Sequence, residues 1–266
     1  METSISYLRR DSIFDYEKPF DVDLPVSHIP KARVTNHQND ERNVVAHPLT
    51  DATQFSLEKH GFCIIQAKTN LNRDLAFKRK REVQKDYWYE IEAILHENFP
   101  HYSRIECYDF TIRKRDPDFP INIRTYTNVE QPARRPHSDC TPRGAHMNLE
   151  HAFPDQQSFW EGKDFDIINV WRPLRGPNND WPLAMCDWQT IDPAKDVRVN
   201  DAIRKNRVDE NAILHYNENH KWYFMPNQTE EELIVFRNAD SLGQRARESF
   251  NLDSGFGSRD ALTTMC

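Results

Sequence analysis

Glycine is scarce, with 7 residues in a chain of 266. Neither G-x-G-x-x-G nor G-x-x-x-x-G-K-[ST] occurs, which argues against a glycine-rich loop wrapped around a nucleotide phosphate. A basic surplus is missing too. The formal net charge is -7, which speaks against a nucleic-acid partner, because phosphate contact needs a basic face. Paired cysteines are absent. Cys63, Cys107, Cys140, Cys186 and Cys266 are scattered, odd in number and never spaced C-x-x-C, the pattern of reduced thiols in a cytosolic protein. The first thirty residues lack a cationic start followed by an apolar run, and no apolar stretch approaches bilayer length. The expected location is therefore the cytoplasm, away from membranes.

Enough apolar material is present to build a fold. Hydrophobic residues make up 38% and aromatics 11%, and a chain of this length buries a core without staples. Residues 1–50 are polar with few periodic apolar positions, so they read as an extended N-terminal arm. Residues 51–266 read as a single domain. Phe62-Cys63-Ile64-Ile65 after Gly61 predicts a strand. From Lys78 to Glu97, Val83, Tyr87, Ile91 and Ile94/Leu95 recur at helical spacing and predict one amphipathic helix, ended by Pro100. The charge run Lys78–Arg81 reads as a solvated face of it.

From residue 105 the pattern changes to short β-branched and aromatic runs: 105–112, DIINVW at 166–171, PLAMCDW at 182–188, AILHY at 212–216, KWYF at 221–224 and LIVF at 233–236. AILHY and KWYF flank NENH, which suits a tight hairpin. Strands at this spacing behind an N-terminal helix predict an antiparallel barrel or jelly roll with helices outside. The tail after Ser241 is polar and reads as peripheral.

Three features bear chemistry. His137-Ser138-Asp139 is a His-x-Asp triplet, and in an extended strand residues i and i+2 share a face. Imidazole and carboxylate then reach one point. With a second His they make the two-His-one-carboxylate set that leaves three iron positions open for co-substrate and O2. The triplet alone says little, since a chain with 11 His and 42 acidic residues contains one or two by chance. The second feature is His220, with His215 as its rival. The third is Arg237, at the end of a strand, where a guanidinium could grip a carboxylate.

Longer segments resemble a family of fungal and bacterial secondary-metabolism oxygenases that includes the gibberellin desaturase and the cephamycin C-7 hydroxylase subunit. They are HSDCT at 137–141, INVWRPLRGP at 168–177, PLAMCD at 182–187, YNENHKWYFMPNQTEEEL at 216–233 and FRNADS at 236–241. FSLEKHGF at 55–62 and YDFTIR at 108–113 add to them. The resemblance implies a mainly β chain with flanking helices, folded as a double-stranded β-helix (jelly roll, cupin-like). It implies an Fe(II)/2-oxoglutarate-dependent dioxygenase that hydroxylates, desaturates or cyclises a small molecule. His137, Asp139 and His220 fall at the expected metal ligands, and Arg237 where a basic residue would hold 2-oxoglutarate. Cys140 and His215 depart from the family's Tyr and Arg, which bears on substrate choice.

Further residues join these by strand parity. Arg172 is a candidate for co-substrate. Thr141, two residues past Asp139, is a candidate hydroxyl to the metal carboxylate. Trp222, at i+2 from His220, would form a pocket wall, and Asp187 would orient substrate. The arginines near the triplet (Arg134, Arg135, Arg143, Arg172, Arg175) suggest a carboxylate-bearing substrate, such as an amino acid or small acid. The expected partners are that substrate and O2, with a homodimer as an option. Two competing readings stand beside this one: a non-catalytic partner subunit, and an O2-independent, metal-dependent cupin-like enzyme.

Overall fold

The computed structural model describes residues 1–24, 26, 28–114, 132–133 and 135–246, with the backbone alone at 251–253 and 261–265. Its strands are β1 (Glu2–Leu8), β2 (Phe20–Val22), β3 (Asn39–Pro48), β4 (Phe62–Gln66), β5 (Asp109–Arg113), β6 (His137–Ser138) and β7 (Asp166–Pro173). They continue with β8 (Leu183–Cys186), β9 (Val197–Ile203), β10 (Val208–Leu214), β11 (Trp222–Phe224), β12 (Glu232–Asp240), β13 (Asn251–Asp253) and β14 (Ala261–Met265). The α-helices are α1 (Leu57–His60), α2 (Arg73–Lys78), α3 (Lys80–Asn98), α4 (Pro142–Ala152), α5 (Gln157–Trp160) and α6 (Pro193–Asp196).

Two sheets carry the fold. One has the order β1-β3-β11-β8-β13-β6-β10-β9-β2, the other β4-β12-β7-β14-β5. Parity along each strand divides the apolar residues into layers. On the smaller sheet, Ile168, Val170, Leu233 and Val235 face outward and pack on Val83, Tyr87, Ile91 and Leu95 of α3. Trp171, Ile234 and Phe236 face inward and meet Leu183 and Met185 of the larger sheet. The alternate residues of the larger sheet, Ala184, Cys186, Ala212, Leu214 and Trp222, pack on Ile5 and Tyr7 of β1 in a separate core. The larger sheet curls far enough for Leu8, at the end of β1, to bridge His215 just past β10. This is the mainly β, double-stranded β-helix architecture with helices on one flank.

Four expectations are corrected. Residues before 50 are extended, but β1, β2 and β3 are strands of the larger sheet rather than an arm laid over it. The tail is not peripheral: β13 lies between β8 and β6, and β14 between β7 and β5. AILHY and KWYF do not form a hairpin, because β10 pairs with β9 and β6 while β11 pairs with β8 and β3. Local turn chemistry loses there to longer-range register. Cys63, Cys140 and Cys186 are free thiols, whereas Cys107 is disulfide-bonded, so reduced thiols do not hold throughout. No helix among the described residues is long and apolar enough to cross a membrane.

Helix α4 directly follows the His-x-Asp triplet, and its first turn fixes how the chain leaves it. Thr141 is the N-cap: its Oγ1 accepts from the Gly144 N–H at 3.0 Å and donates to Glu210 Oε1 at 2.6 Å. Gly144 lets the helix press on β10, since a Cβ there would sit 2.0 Å from the Glu210 carbonyl oxygen. Gly144→Ala is expected to cost roughly 2–3 kcal/mol or more, because backbone must shift. Thr141→Ala is expected to cost about 1 kcal/mol for the cap. Urea unfolding of the two variants checks this order.

Candidate active site

A cavity of about 720 Å3 opens between the two sheets. His137, Asp139, Asn169, Tyr108 and Arg113 line it, with Trp171 and Phe236 among its apolar walls. β6 is only two residues long, so the triplet depends on neighbours for its position. Ser138 Oγ donates to the Asn238 carbonyl at 2.9 Å, and the Asp139 N–H donates to Asn238 Oδ1 at 3.2 Å. These two bonds tie β6, in the larger sheet, to β12, in the smaller.

The donor atoms are pre-set. His137 Nδ1–H donates to the Arg135 carbonyl at 2.9 Å, which fixes the tautomer and turns the lone pair of Nε2 toward the cavity side. Asn169 Nδ2 donates to Asp139 Oδ2 at 2.7 Å, which leaves Oδ1. Nε2 and Oδ1 are 3.3 Å apart, close to the roughly 3 Å between adjacent ligands on an octahedral ion with bonds of about 2.1 Å. Burial disfavours imidazolium, but Asp139 and the Arg135 carbonyl outweigh it and raise the His137 pKa. Burial likewise works against ionised Asp139, but His137, Arg113 and Asn169 together lower its pKa. Asn169 Oδ1 and the Tyr108 hydroxyl are buried without a partner among the described residues. Unpartnered polar atoms in a cavity mark a place for a ligand.

Of the residues expected here from sequence, only His137 and Asp139 come together. Register shows why His220 does not join them. Tyr223 pairs with Met185, Met185 with Asn251, and Asn251 with His137, so these positions share a face. Trp222 pairs with Cys186 and so takes the opposite face, in the core around β1. His220 follows Trp222: its ring stacks on Tyr7 with centroids 6.0 Å apart, and its Nε2 lies 3.2 Å from Asp196 Oδ2. Trp222 Nε1 donates to the Tyr7 hydroxyl at 2.8 Å. Shared parity of His220 and Trp222 is correct; the face is the wrong one for metal or pocket wall. Among the described residues no three His, Cys, Asp or Glu form a metal-holding group.

The other candidates also stand elsewhere. Arg237 is buried on the helix side of β12, with Nη2 donating to Glu58 Oε1 at 2.7 Å and Nε 2.9 Å from Asp166 Oδ2. It lines a second cavity of about 660 Å3, walled by Phe99, Phe153 and Trp160, and Tyr108 is shared with the first. Arg172 lies over the Tyr87 ring at 5.5 Å, again on the helix side. Thr141 is committed to its cap and Glu210. His215 Nδ1 donates to the Leu8 carbonyl at 2.8 Å. Cys140 is buried with Ala145, Ile167 and Ala239, and Asp187 caps the turn Trp188–Thr190. Of the arginines read as a sign of an acidic substrate, Arg135, Arg143, Arg172 and Arg175 do not line the cavity, and Arg134 lies outside the described residues. Arg113, Asn169 and Tyr108 were missed. Parity along YDFTIR puts Asp109, Thr111 and Arg113 on one face, but nothing local says that this face is the cavity's.

A model of the oxidoreductase/YMDC permease-like domain family (YDMC) matches residues 5–263. The chain belongs to this family. It is similar to the Fe(II)/2-oxoglutarate-dependent dioxygenase nvfI of Aspergillus novofumigatus, with 29% identity over 202 residues, 74% of this chain and 68% of the relative. It is similar to the hydroxylase/desaturase efuI of Hormonema carpetanum, with 27% identity over 217 residues, 73% of this chain and 70% of the relative. The gibberellin cluster GA4 desaturase of Gibberella fujikuroi shares 23% over 140 residues, 44% of this chain and 41% of that one. The expected resemblance is thus borne out. A solved structure of a variant of the iron and alpha-ketoglutarate-dependent endoperoxidase NvfI superposes with a TM-score of 0.83 at 22% identity, covering 100% of this chain and 95% of that one. That likeness establishes the fold.

His220 and His215 have lowered pKa values, in both cases chiefly through burial. A lowered folded pKa means that the unfolded chain binds the proton first, so stability falls as pH drops below the ordinary imidazole value of 6.5. Stability is expected to decline below that pH, and His220→Asn to decline less steeply. Urea midpoints between about pH 7.5 and 5.5 test the sign.

Proposed function

We propose that this chain is an Fe(II)/2-oxoglutarate-dependent oxygenase that oxidises a small secondary metabolite by hydroxylation, desaturation or ring formation. The observation that carries this is the His137–Asp139 pair, with Nε2 and Oδ1 presented side by side into a cavity between the sheets. The names of its relatives support the same cofactors, Fe(II) and 2-oxoglutarate.

Held by His137 and Asp139, a ferrous ion with 2-oxoglutarate would supply the oxidising power, drawing on O2 and releasing succinate and CO2. This chain's part is to hold and orient. His137 and Asp139 are two protein donors, and Asn169 keeps the carboxylate aimed. Arg113 replaces Arg237 as the anchor for the co-substrate's far carboxylate, since its charge acts on His137 and Asp139 from the same cavity. The Tyr108 hydroxyl and Asn169 Oδ1 are placed to hydrogen-bond a ligand. Trp171 and Phe236 keep one wall dry. Four of the nearby arginines stand outside the cavity, but Arg113, Arg204 and Arg207 line it, so the small, carboxylate-bearing substrate of this reading rests on these three instead. The location in this reading is the cytoplasm, the partners are O2 and that substrate, and the assembly compatible with it is a homodimer. Neither nucleic acid nor a membrane takes part.

His137→Ala and Asp139→Ala are expected to abolish Fe(II)-dependent succinate release from 2-oxoglutarate. Wild-type release from either variant rules out the pair as ligands. Arg113→Ala is expected to raise the 2-oxoglutarate KM on the order of tenfold, the loss of about one charge-assisted bond. An unchanged KM moves the anchor elsewhere.

A further inference from the structure

We infer that the metal centre of this chain contains a single histidine, with oxygen donors completing the coordination sphere. The inference rests on the oxygenase reading and concerns how its ion is held. All eleven histidines of the sequence lie among the described residues, so the source of a second imidazole can be sought by elimination. His220 and His215 are held in the core around β1 by Asp196, Tyr7 and the Leu8 carbonyl. Of the remaining ones, only His151 lines the cavity with His137. It is exposed on the last turn of α4 and joins no three-donor group.

The backbone register leads to the same point. A second ligand beside His137 within the larger sheet would stand opposite it on a neighbouring strand, where cross-strand pairs share a face. The positions opposite His137 are Ile213 on β10 and Asn251 on β13. Neither is an imidazole, a carboxylate or a thiol. The two-His-one-carboxylate set therefore has one of its imidazoles and its carboxylate here, and no histidine in place for the other. Replacing an imidazole by oxygen makes the site harder, which lowers its preference for Fe(II) over Mn(II).

The test loads the full chain with Mn(II) under anaerobic conditions, measures stoichiometry by equilibrium dialysis, and counts coordinated imidazoles by pulsed electron paramagnetic resonance through their nitrogen couplings. X-ray absorption of the Fe(II)-loaded chain gives a second count. One imidazole is expected, unchanged in His220→Ala and His151→Ala. A count of two overturns the inference while leaving the oxygenase reading intact, and its fall to one in either variant names the missing ligand. A count of zero overturns the inference as well. Failure to bind Mn(II) or Fe(II) at all overturns the oxygenase reading itself.

Discussion

The site depends on a strand too short to hold itself. β6 contributes two residues to the larger sheet, and the side chains it offers would wander without further restraint. Asn238 supplies it from the opposite sheet, accepting from both Ser138 Oγ and the Asp139 N–H. Asn169, on the neighbouring strand β7, then takes one oxygen of Asp139. Three buried amide and hydroxyl contacts thus fix the distance between the sheets and the aim of the carboxylate together. In a water-poor space such contacts are costly to leave unmade, which makes the arrangement stiff.

Charge is sorted by the same sheets. Arg237 and Arg172 take the helix face of β12 and β7, where Glu58 and Asp166 pair with Arg237 and the Tyr87 ring lies against Arg172. The buried Arg237 with those two carboxylates belongs to the architecture, since removing both would leave an uncompensated charge. Arg113 takes the cavity face from β5 instead. Tyr108 stands where the two cavities meet, and its hydroxyl pKa is raised, chiefly by burial. It therefore stays neutral and able to donate.

Much of the fold was legible in the residues. The buried stripe Val83–Tyr87–Ile91–Leu95 on α3 follows helical spacing, and the apolar runs at β4, β7, β8 and β12 appear close to where they were read. The His137–Asp139 pair was also visible, from i, i+2 geometry. The remainder of the site was not, for one physical reason. Period two tells which residues share a face, but pairing decides which way that face looks. His220 with Trp222 has the expected parity and the wrong side, and Arg237, expected at a strand end, lies inside β12 on its helix side. The strand partners of β11 and the insertion of β13 and β14 come from contacts far apart in the chain, which leave no local trace.

That insertion bears on how the molecule is made. β13 and β14 sit inside the two sheets rather than at their edges, yet they follow in the chain every strand they join. Until they arrive, β8 and β6 lack the strand between them, and β7 and β5 are likewise unjoined. The nascent chain must wait with open strand edges, a state prone to pairing with the wrong neighbour. Closure of both sheets therefore rests on strands far apart in the chain, and nonlocal pairing of this kind sets a slow pace for it.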